Sequence, residues 1–365
     1  MSESRLGLTG LQDTEFMTDI DTSLIVSMMD CISGASGIAI VTHTHPDGDA
    51  LGSSLGLLRF LKAAGKDPVI VLNDRYPESL AFMTGSDRDS IIVYEEDREK
   101  AVSAIRESGL IFCLDMNAFG RAENLEKALA GASCPKILID HHIGPDRELF
   151  DIVFSCTGIS STCELLYYIL LGTESVGHDA GKLPAGCPEA LLTGMTTDTS
   201  NFANSVFPST FRMASELLAA GTDRDAILSS LYNNYRENRF RLMGRLLGDK
   251  MKITGDGVAY MIIDRSLANE YDIREGETEG FVNIPLGMEC VRMSILLKEE
   301  DDKFRVSIRS KKGTSANRCA AMFFNGGGHE LAAGGKLVKG RDLKTGSAAE
   351  AAAYVEARTG EFLSM

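Results

Sequence analysis

The stretch GIAIVTHTHPDGDALGSS, residues 37–54, joins an apolar run to a polar turn and then to a series of small residues. Its first residues are apolar and rich in β-branched side chains, which predicts a buried strand. The proline and glycine that follow indicate a tight turn, and the small residues after them indicate the start of a helix. The stretch therefore predicts a strand–turn–helix unit whose turn carries His43, Asp47 and Asp49.

Similar apolar runs recur along the chain as PVIVL, SIIVY, LIFCL, KILI and DIVF, and helix-compatible stretches separate them. This alternation predicts a parallel sheet with crossover helices. From Gly257 onward the pattern changes to alternating strands, GVAYMIID, VRMSILLK and KFRVSIRS. We therefore expect an α/β protein, with an N-terminal Rossmann-like parallel-sheet domain and a smaller α+β domain joined by a helical linker.

A chain of 365 residues is long enough for two domains with separate cores. Apolar spacing predicts a leading helix over residues 14–32. The expected divisions are an N-terminal catalytic, metal-binding domain at 15–215, a helical linker at 216–255, a substrate-binding domain at 256–345 and a terminal helix at 346–365.

Composition narrows the class of protein. A net charge of −15 and a pI near 4.9 argue against a protein that coats long duplex nucleic acid, because phosphate binding needs a broad basic surface. No apolar run is long enough to span a bilayer, and the N-terminus lacks the pattern of a secretory signal. The sequence predicts a cytoplasmic protein that does not bind membranes, and it leaves a homodimer open.

Five of the six histidines lie in three short clusters that are rich in acidic residues or glycine. Asp115 follows the predicted strand LIFCL, and Asp140, His141 and His142 end the predicted strand KILI. Ligands of open α/β sheets bind beyond the carboxyl ends of the strands, and histidine with carboxylate is a common metal-ligand set. The sequence predicts a divalent-metal site here. Asp198 in TTDTSNF is a weaker candidate, for which a helix N-cap is the alternative.

A second candidate site combines the end of VSIRS with the glycine cluster GGGHELAAGG. Adjacent glycines allow backbone N–H groups to approach a phosphate closely, and arginine and histidine can donate charge-assisted hydrogen bonds to it. A flexible turn is the alternative reading of the glycines. The candidate substrate-binding residues are Arg309, Ser310, Gly326, Gly327, Gly328 and His329.

Taken together, the motifs HTHPDGDALGS, strand-terminal Asp, Asp-His-His, TDT and GGGH resemble those of the DHH/DHHA1 phosphoesterase superfamily, and most of all its stand-alone oligoribonuclease and pAp phosphatase branch. The resemblance spans residues 37–337 and implies two Mn²⁺ ions, with Mg²⁺ or Co²⁺ as substitutes. One ion would be held by His43, Asp47 and Asp115. The other would be held by Asp49, Asp115, His141 and Asp198. Asp115, Asp140 and His142 are the catalytic candidates, the latter two behind the ligands or facing the phosphate.

The resemblance implies hydrolysis of short oligonucleotides from an end, of the phosphate of 3′-phosphoadenosine 5′-phosphate (pAp), or of both, through a bridging water that two metal ions activate. A phosphodiesterase for cyclic dinucleotides or pApA is the nearest alternative. A non-catalytic RNA-binding module, the alternative of a different class, would predict missing ligands and a basic face. Two positions depart from the family pattern: Asn325 stands where relatives commonly have glycine, and His45 where a smaller polar residue is frequent.

Overall fold

The computed structural model describes residues 20–274 and 276–365. Contacts divide the chain into two compact units between Leu231 and Tyr232. Residues 14–19 of the predicted leading helix lie outside the described residues, and the helix itself, α1, spans Thr22–Gly34. Each unit has its own apolar core, so the chain follows the predicted two-part plan.

The N-terminal unit is built on a six-stranded parallel sheet, and all six apolar runs form strands, as predicted. Both faces of the sheet are covered by helices, which explains why the runs are continuously apolar. The strands are β1 Ile38–Thr42, β2 Pro68–Leu72, β3 Ile91–Val93, β4 Leu110–Leu114, β5 Lys136–Asp140 and β6 Ile152–Ser155.

The helices of this unit connect successive strands and then complete its core. After α1 they are α2 Gly48–Ala63, α3 Arg98–Arg106, α4 Glu126–Gly131, α5 Thr162–Leu171, α6 Cys187–Asp198, α7 Pro208–Ala219 and α8 Arg224–Tyr232. Short 3₁₀ helices lie at Glu78–Met83, Gly85–Ser90, Phe119–Leu125, Arg147–Leu149 and Ala180–Lys182.

The strand order explains where the site lies. The sheet runs β3-β2-β1-β4-β5-β6, so the chain builds outward from β1 in one direction and then from β4 in the other. The carboxyl ends of β1 and β4 therefore form the topological switch point, where open sheets of this kind bind their ligands. His43 directly follows β1, and Asp115 directly follows β4.

Close packing of α2 against α6 brings a second part of the site together. Gly48, Gly52 and Gly56 recur every fourth residue on α2, on the side that faces α6. A Cβ atom at Gly52 would lie 2.7 Å from the carbonyl oxygen of Ala190, so only glycine allows this approach. The start of α2 thereby lies against the end of α6.

The C-terminal unit has a mixed six-stranded sheet. Its strands are β7 Lys252–Ile253, β8 Val258–Ile263, β9 Met293–Glu299, β10 Lys303–Ser310, β11 Gly327–Gly328 and β12 Ala332–Val338. Its helices are α9 Glu237–Arg245, α10 Arg265–Glu270, α11 Ala316–Phe323 and α12 Ala348–Leu363, with a π turn at Leu246–Lys250 and a 3₁₀ helix at Phe281–Gly287. The strand order is β11-β12-β10-β9-β8-β7. The three strands predicted from alternating sequence are β8, β9 and β10, and the predicted terminal helix is α12.

The residues expected to form a linker, 216–255, are shared between the two units. Leu217 and Ile227 are buried in the core of the N-terminal unit, whereas Leu242 and Leu246 are buried in a core of the C-terminal unit. Within the described ranges, no helix has the length and apolar character required to cross a membrane.

Candidate metal centre

The first group of metal-ligand side chains lies at the ends of β1 and β4. The Nε2 atom of His43 is 3.2 Å from Oδ2 of Asp115 and 3.9 Å from Oδ1 of Asp47. These three donor atoms lie within 4.8 Å of one another. An ion with bonds of about 2.1 Å spans ligand atoms at such separations, so the group could hold a metal ion.

A second group lies around His141, which follows β5. Its Nε2 atom is 3.8 Å from Oδ2 of Asp49, 3.6 Å from Oδ2 of Asp198 and 3.6 Å from Oδ1 of Asp115. Asp115 thus presents one carboxylate oxygen to each group. The structure brings all six sequence-predicted ligands together as two groups that share this one side chain.

The ring orientation of His43 fits a cation between it and Asp115. Its Nδ1 atom lies 2.7 Å from the carbonyl oxygen of Thr44, which can only accept a hydrogen bond, so Nδ1 is the protonated nitrogen of the neutral ring. The lone pair of Nε2 then faces the Asp115 carboxylate, 3.2 Å away. Two acceptors at this separation require a proton or a metal ion between them.

The electrostatics of the carboxylates follow from burial and crowding. Burial, followed by the negative charges of Asp115, Asp198 and Asp47, raises the pKa of Asp49 well above its usual value. Burial would also raise the pKa of Asp115, but the hydrogen bond from His43 and the nearby histidines hold it well below its usual value. Closely spaced acids of this kind are a common preparation for cation binding.

Burial alone would lower the pKa of His43, but its hydrogen bond to Asp115 and the charges of Asp115 and Asp47 outweigh burial and raise it. His141 differs, because burial dominates there and lowers its pKa. A neutral imidazole is the form that binds metal, so burial prepares His141 for that role.

The N-terminus of α5 holds the Asp49 carboxylate. The backbone N–H of Thr162 donates to Oδ2 at 2.7 Å, and that of Cys163 donates to Oδ1 at 2.9 Å. The Thr162 hydroxyl donates to Oδ1 of Asp115 at 3.1 Å. One helix end therefore fixes a carboxylate of the second group and the carboxylate that both groups share.

The turn before α5 is itself held by a buried carboxylate, Glu164. It accepts from the backbone N–H of Ser160 at 3.0 Å, from the Ser160 hydroxyl and from the Thr210 hydroxyl at 2.7 Å. The sequence analysis did not connect this turn with the metal site. The signal was the segment SSTCE, whose polar residues precede an otherwise wholly buried helix.

Asp115 and His45 have unusual backbone conformations. Their φ angles are 57° and 52°, in the left-handed region that few residues other than glycine adopt. At Asp115 this conformation turns the chain directly at the strand end, where the site lies. The backbone N–H of His45 donates to Oδ2 of Asp74 at 2.6 Å, and its side chain is half-exposed, so it lies outside both ligand groups.

Asp140 and His142, which the resemblance placed behind the ligands or facing the phosphate, interact directly with each other. Nδ1 of His142 lies 2.7 Å from Oδ1 of Asp140 and 3.5 Å from Oδ1 of Asp115. The other Asp140 oxygen is buried and has no hydrogen-bond partner in the described part of the chain. A buried, unpaired carboxylate oxygen is costly, and it suits a site that receives positive charge.

The two remaining carboxylates differ in their structural roles. Oδ1 of Asp47 accepts from the backbone N–H groups of Asp49 and Ala50, both at 3.0 Å, so Asp47 also caps α2. Asp198 is the last residue of α6 and does not cap a helix N-terminus. A negative charge at a helix C-terminus opposes the helix dipole, so helix stability does not explain Asp198.

Two of the candidate substrate residues, Arg309 and His329, have backbone contacts with Ala332 of β12. Arg309 pairs with Ala332 across the sheet, and the backbone N–H of His329 donates to the Ala332 carbonyl at 2.7 Å. The Ser310 hydroxyl is buried and donates to the Thr314 carbonyl at 2.6 Å, which gives Ser310 a structural role in the turn.

The glycines also have a structural reason that sequence reasoning missed. A Cβ atom at Gly326 would overlap the backbone of Gly334, so the glycine cluster is required where β11 meets β12. Asn325 has a φ of 49°, and its side-chain amide donates to the Lys336 carbonyl and to Asp342 at 3.1 Å. Asparagine is the non-glycine residue that this conformation tolerates best, which accounts for its presence before the glycines.

Comparisons with known proteins agree with this geometry. Residues 37–195 match the DHH family, N-terminal domain, and residues 255–357 match the DHHA1 domain. The bifunctional oligoribonuclease and PAP phosphatase NrnA of Thermus thermophilus is 31% identical over 324 residues, which are 88% of this chain and 89% of that protein. The Bacillus subtilis protein of the same name is 27% identical over 306 residues, 82% of this chain and 89% of the relative.

Among solved structures, an exopolyphosphatase-related protein from Bacteroides fragilis has 35% sequence identity and a TM-score of 0.85, and the match covers 95% of this chain and 98% of that one. The predicted enzyme class is therefore confirmed, and the chain belongs to the DHH superfamily of phosphoesterases, among the members that carry a DHHA1 domain.

Proposed function

We propose that the protein is a manganese-dependent phosphoesterase that hydrolyses short oligonucleotides from an end, the phosphate of pAp, or both, by two-metal activation of a bridging water. The names of the Thermus thermophilus and Bacillus subtilis relatives support these substrates. The acidic chain also fits a short substrate better than a long duplex, because bound cations would supply the positive charge locally.

The observation that carries the proposal is the division of the Asp115 carboxylate. One oxygen lies 3.2 Å from His43, and the other lies 3.6 Å from His141. When bound, two divalent cations would stabilise charge on the phosphoryl oxygens and make water a stronger nucleophile. His43, Asp47 and Asp115 would hold one ion; Asp49, Asp115, His141 and Asp198 would hold the other.

The surrounding residues have separate roles in this proposal. Asp140 holds the ring of His142 in position through its contact with Nδ1, and His142 would face the phosphate. The α5 N-terminus would hold the Asp49 carboxylate in position through two N–H donors. Carboxylate-rich ligation favours Mn²⁺, with Mg²⁺ or Co²⁺ as substitutes, over a thiolate zinc site.

The C-terminal unit would bind phosphate groups of the substrate. Arg309 would supply a guanidinium and His329 an imidazole, and the exposed glycines Gly326, Gly327 and Gly328 add no side chains to the neighbouring backbone. Charge-assisted hydrogen bonds from such groups favour anions. Ser310 contributes through the turn that it stabilises.

A substrate panel tests the proposal. The protein is stripped of metal and then assayed with Mn²⁺, Mg²⁺ or Co²⁺ on 5′-labelled RNA of two to twenty-four nucleotides, pAp, pApA, cyclic di-AMP and polyphosphate. The proposal expects Mn²⁺-dependent release of mononucleotides from the shortest RNAs or of phosphate from pAp. A clear preference for cyclic di-AMP or polyphosphate, or turnover that persists without metal, would contradict it.

A further inference from the structure

The loop that follows Asp198, residues 199–207, has a backbone that is costly to form. Ser200, Asn201 and Phe202 have φ angles of 49°, 58° and 66°, three consecutive left-handed conformations without a glycine. Such a conformation is a clear outlier for a bulky residue such as phenylalanine. Retention of strained backbone beside a reactive centre points to a role for the side chains that it presents.

Hydrogen bonds hold this loop against the last turn of α6. The backbone N–H of Asn201 donates to the Thr196 carbonyl at 2.7 Å, and that of Phe202 donates to the Thr199 hydroxyl at 3.0 Å. Phe202 follows Asp198 by four residues, so their Cα atoms are no more than about 14 Å apart. The loop therefore begins directly after a residue of the second ligand group and carries Phe202 within that Cα distance of it.

Phe202 of this loop forms an aromatic surface with side chains of α7 and α8, which we call the aromatic platform and define as Phe202, Phe211 and Arg224. The two rings are stacked, with centroids 5.3 Å apart and an interplanar angle of 10°. The Arg224 guanidinium lies 5.6 Å from the Phe202 centroid, and its Nη2 atom donates to the Asn201 side chain at 2.6 Å. Phe211 remains 58% exposed.

We infer that the aromatic platform stacks a nucleobase of the substrate whose phosphate is hydrolysed at the metal centre. This inference rests on the proposed function for its substrate class. Exposed aromatic faces stack bases of any sequence, and an arginine beside them adds favourable charge toward a nucleotide. The platform explains why a phosphoesterase would favour nucleotides over base-free phosphate esters, and it predicts little discrimination among the bases.

Equilibrium binding tests the inference without hydrolysis. Calorimetry compares AMP with ribose 5-phosphate, which lacks the base, in the presence of Mn²⁺. The wild-type protein should bind AMP roughly tenfold more tightly than ribose 5-phosphate. Phe211→Leu, which keeps apolar bulk but removes the aromatic face, should reduce this ratio to about threefold or less, and Phe211→Trp should keep it.

A matched control is Phe240→Leu, because Phe240 is an exposed aromatic residue of α9, 52% exposed and paired edge-on with Tyr235. It should retain the wild-type ratio. An equal affinity of the wild type for both ligands, or an unchanged ratio in Phe211→Leu, would overturn the inference.

Hydrolysis assays separate this inference from the proposed function. For a diribonucleotide, Phe211→Leu should raise KM by roughly tenfold with much less effect on kcat, because the lost contact is to a base remote from the reacting bond. A wild-type protein that prefers AMP but hydrolyses no nucleotide would refute the proposed function and leave base stacking supported. Hydrolysis of nucleotides without any preference for AMP over ribose 5-phosphate would support the proposed function and refute base stacking.

Discussion

Two buried aspartates near opposite ends of α2 have different surroundings. Asp87 accepts from Arg59 at 2.8 Å and from Lys62 at 2.9 Å, on the last turns of the helix. Burial would raise the pKa of Asp87, but these two cationic partners lower it overall. At the first turn, Asp49 is held by backbone N–H groups among other carboxylates, and its pKa is raised.

This contrast separates a structural carboxylate from a proposed metal ligand. In the described part of the chain, no lysine or arginine nitrogen lies within 4 Å of the carboxylates of Asp49 or Asp115, although the same helix supplies two cations to Asp87. A buried charge without a compensating side chain is costly. Asp49 and Asp115 therefore lack the lysine and arginine partners that Asp87 has, which fits the proposed binding of divalent cations.

The largest expected effect follows from removing the shared ligand. Asp115→Asn keeps the shape of the side chain but removes the charge that both ligand groups share. We expect kcat/KM for a diribonucleotide with Mn²⁺ to fall on the order of 10³-fold or more. Asp87→Asn is the matched control, since it also neutralises a buried aspartate. Turnover of Asp115→Asn near the wild-type level would contradict the proposal that Asp115 is the shared metal ligand and Asp87 a structural residue.

Asp87→Asn should instead act on stability. Loss of a partly buried, doubly paired carboxylate should lower the free energy of unfolding by about 3 kcal/mol. For a unit of this size, that corresponds to a fall in Tm on the order of 5–10 °C, measured by calorimetry. A Tm equal to that of the wild type would show that Arg59 and Lys62 do not stabilise the fold through Asp87.

The difference in stability between the wild type and Asp87→Asn should depend on pH. Because the folded-state pKa of Asp87 lies below its ordinary value of 3.8, its contribution to stability is present above that value and is lost as pH falls through the folded pKa. Urea denaturation should therefore show the full advantage of the wild type at neutral pH and a shrinking advantage in acid. A constant difference down to strong acid would contradict this assignment.

The hydroxyl of Thr162 provides a test of the contacts that support the proposed metal ligands at the first turn of α2 and the end of β4. Thr162→Val removes the hydrogen bond to Asp115 but retains the backbone N–H that holds Asp49. Loss of such a supporting contact should reduce Mn²⁺ affinity or kcat/KM by about 10- to 100-fold. Thr162→Ser should restore most of the loss, because it keeps the hydroxyl. Equal Mn²⁺ affinity in the wild type and the valine variant would show that the contact is incidental.

The smallest effect concerns the metal-free protein. Asp198 is among the charges that raise the pKa of Asp49, so Asp198→Asn should relieve repulsion and stabilise the metal-free protein by about 1 kcal/mol. With Mn²⁺ present, the wild type should regain the advantage, because ligand binding stabilises the folded state. Thermal unfolding with and without Mn²⁺ measures both. Destabilisation of the metal-free protein by this change would argue against crowded charge at the site.

Much of this arrangement could be predicted from sequence, because it depends on periodicity and on strand ends. The apolar runs predicted the strands. Parallel strands bring the residues that follow them to one edge of the sheet, so His43, Asp115 and His141 were expected to lie close together. The four-residue spacing of Gly48 and Gly52 on α2 can be read from the sequence and is typical of close helix packing, but α6, the helix that packs there, is distant in sequence. No local pattern identifies which helix approaches these glycines.

Other features depend on tertiary contacts that leave no periodic signal. The two N–H donors to Asp49 come from a helix more than 110 residues further along the chain. The left-handed conformations of Asp115 and Phe202 are imposed by surrounding structure, since their side chains favour other regions. The steric need for Gly326 likewise arises from a strand that follows it.

Mn²⁺ stoichiometry tests the central claim most directly. Metal-stripped wild-type protein is titrated with Mn²⁺ and followed by calorimetry and by electron paramagnetic resonance, which detects the coupling between neighbouring Mn²⁺ ions. The account predicts two ions per chain in the wild type, coupled to each other, and loss of the coupled pair in Asp115→Asn with no change in Asp87→Asn. A single uncoupled ion in the wild type, or a coupled pair that survives the loss of the Asp115 charge, would contradict it.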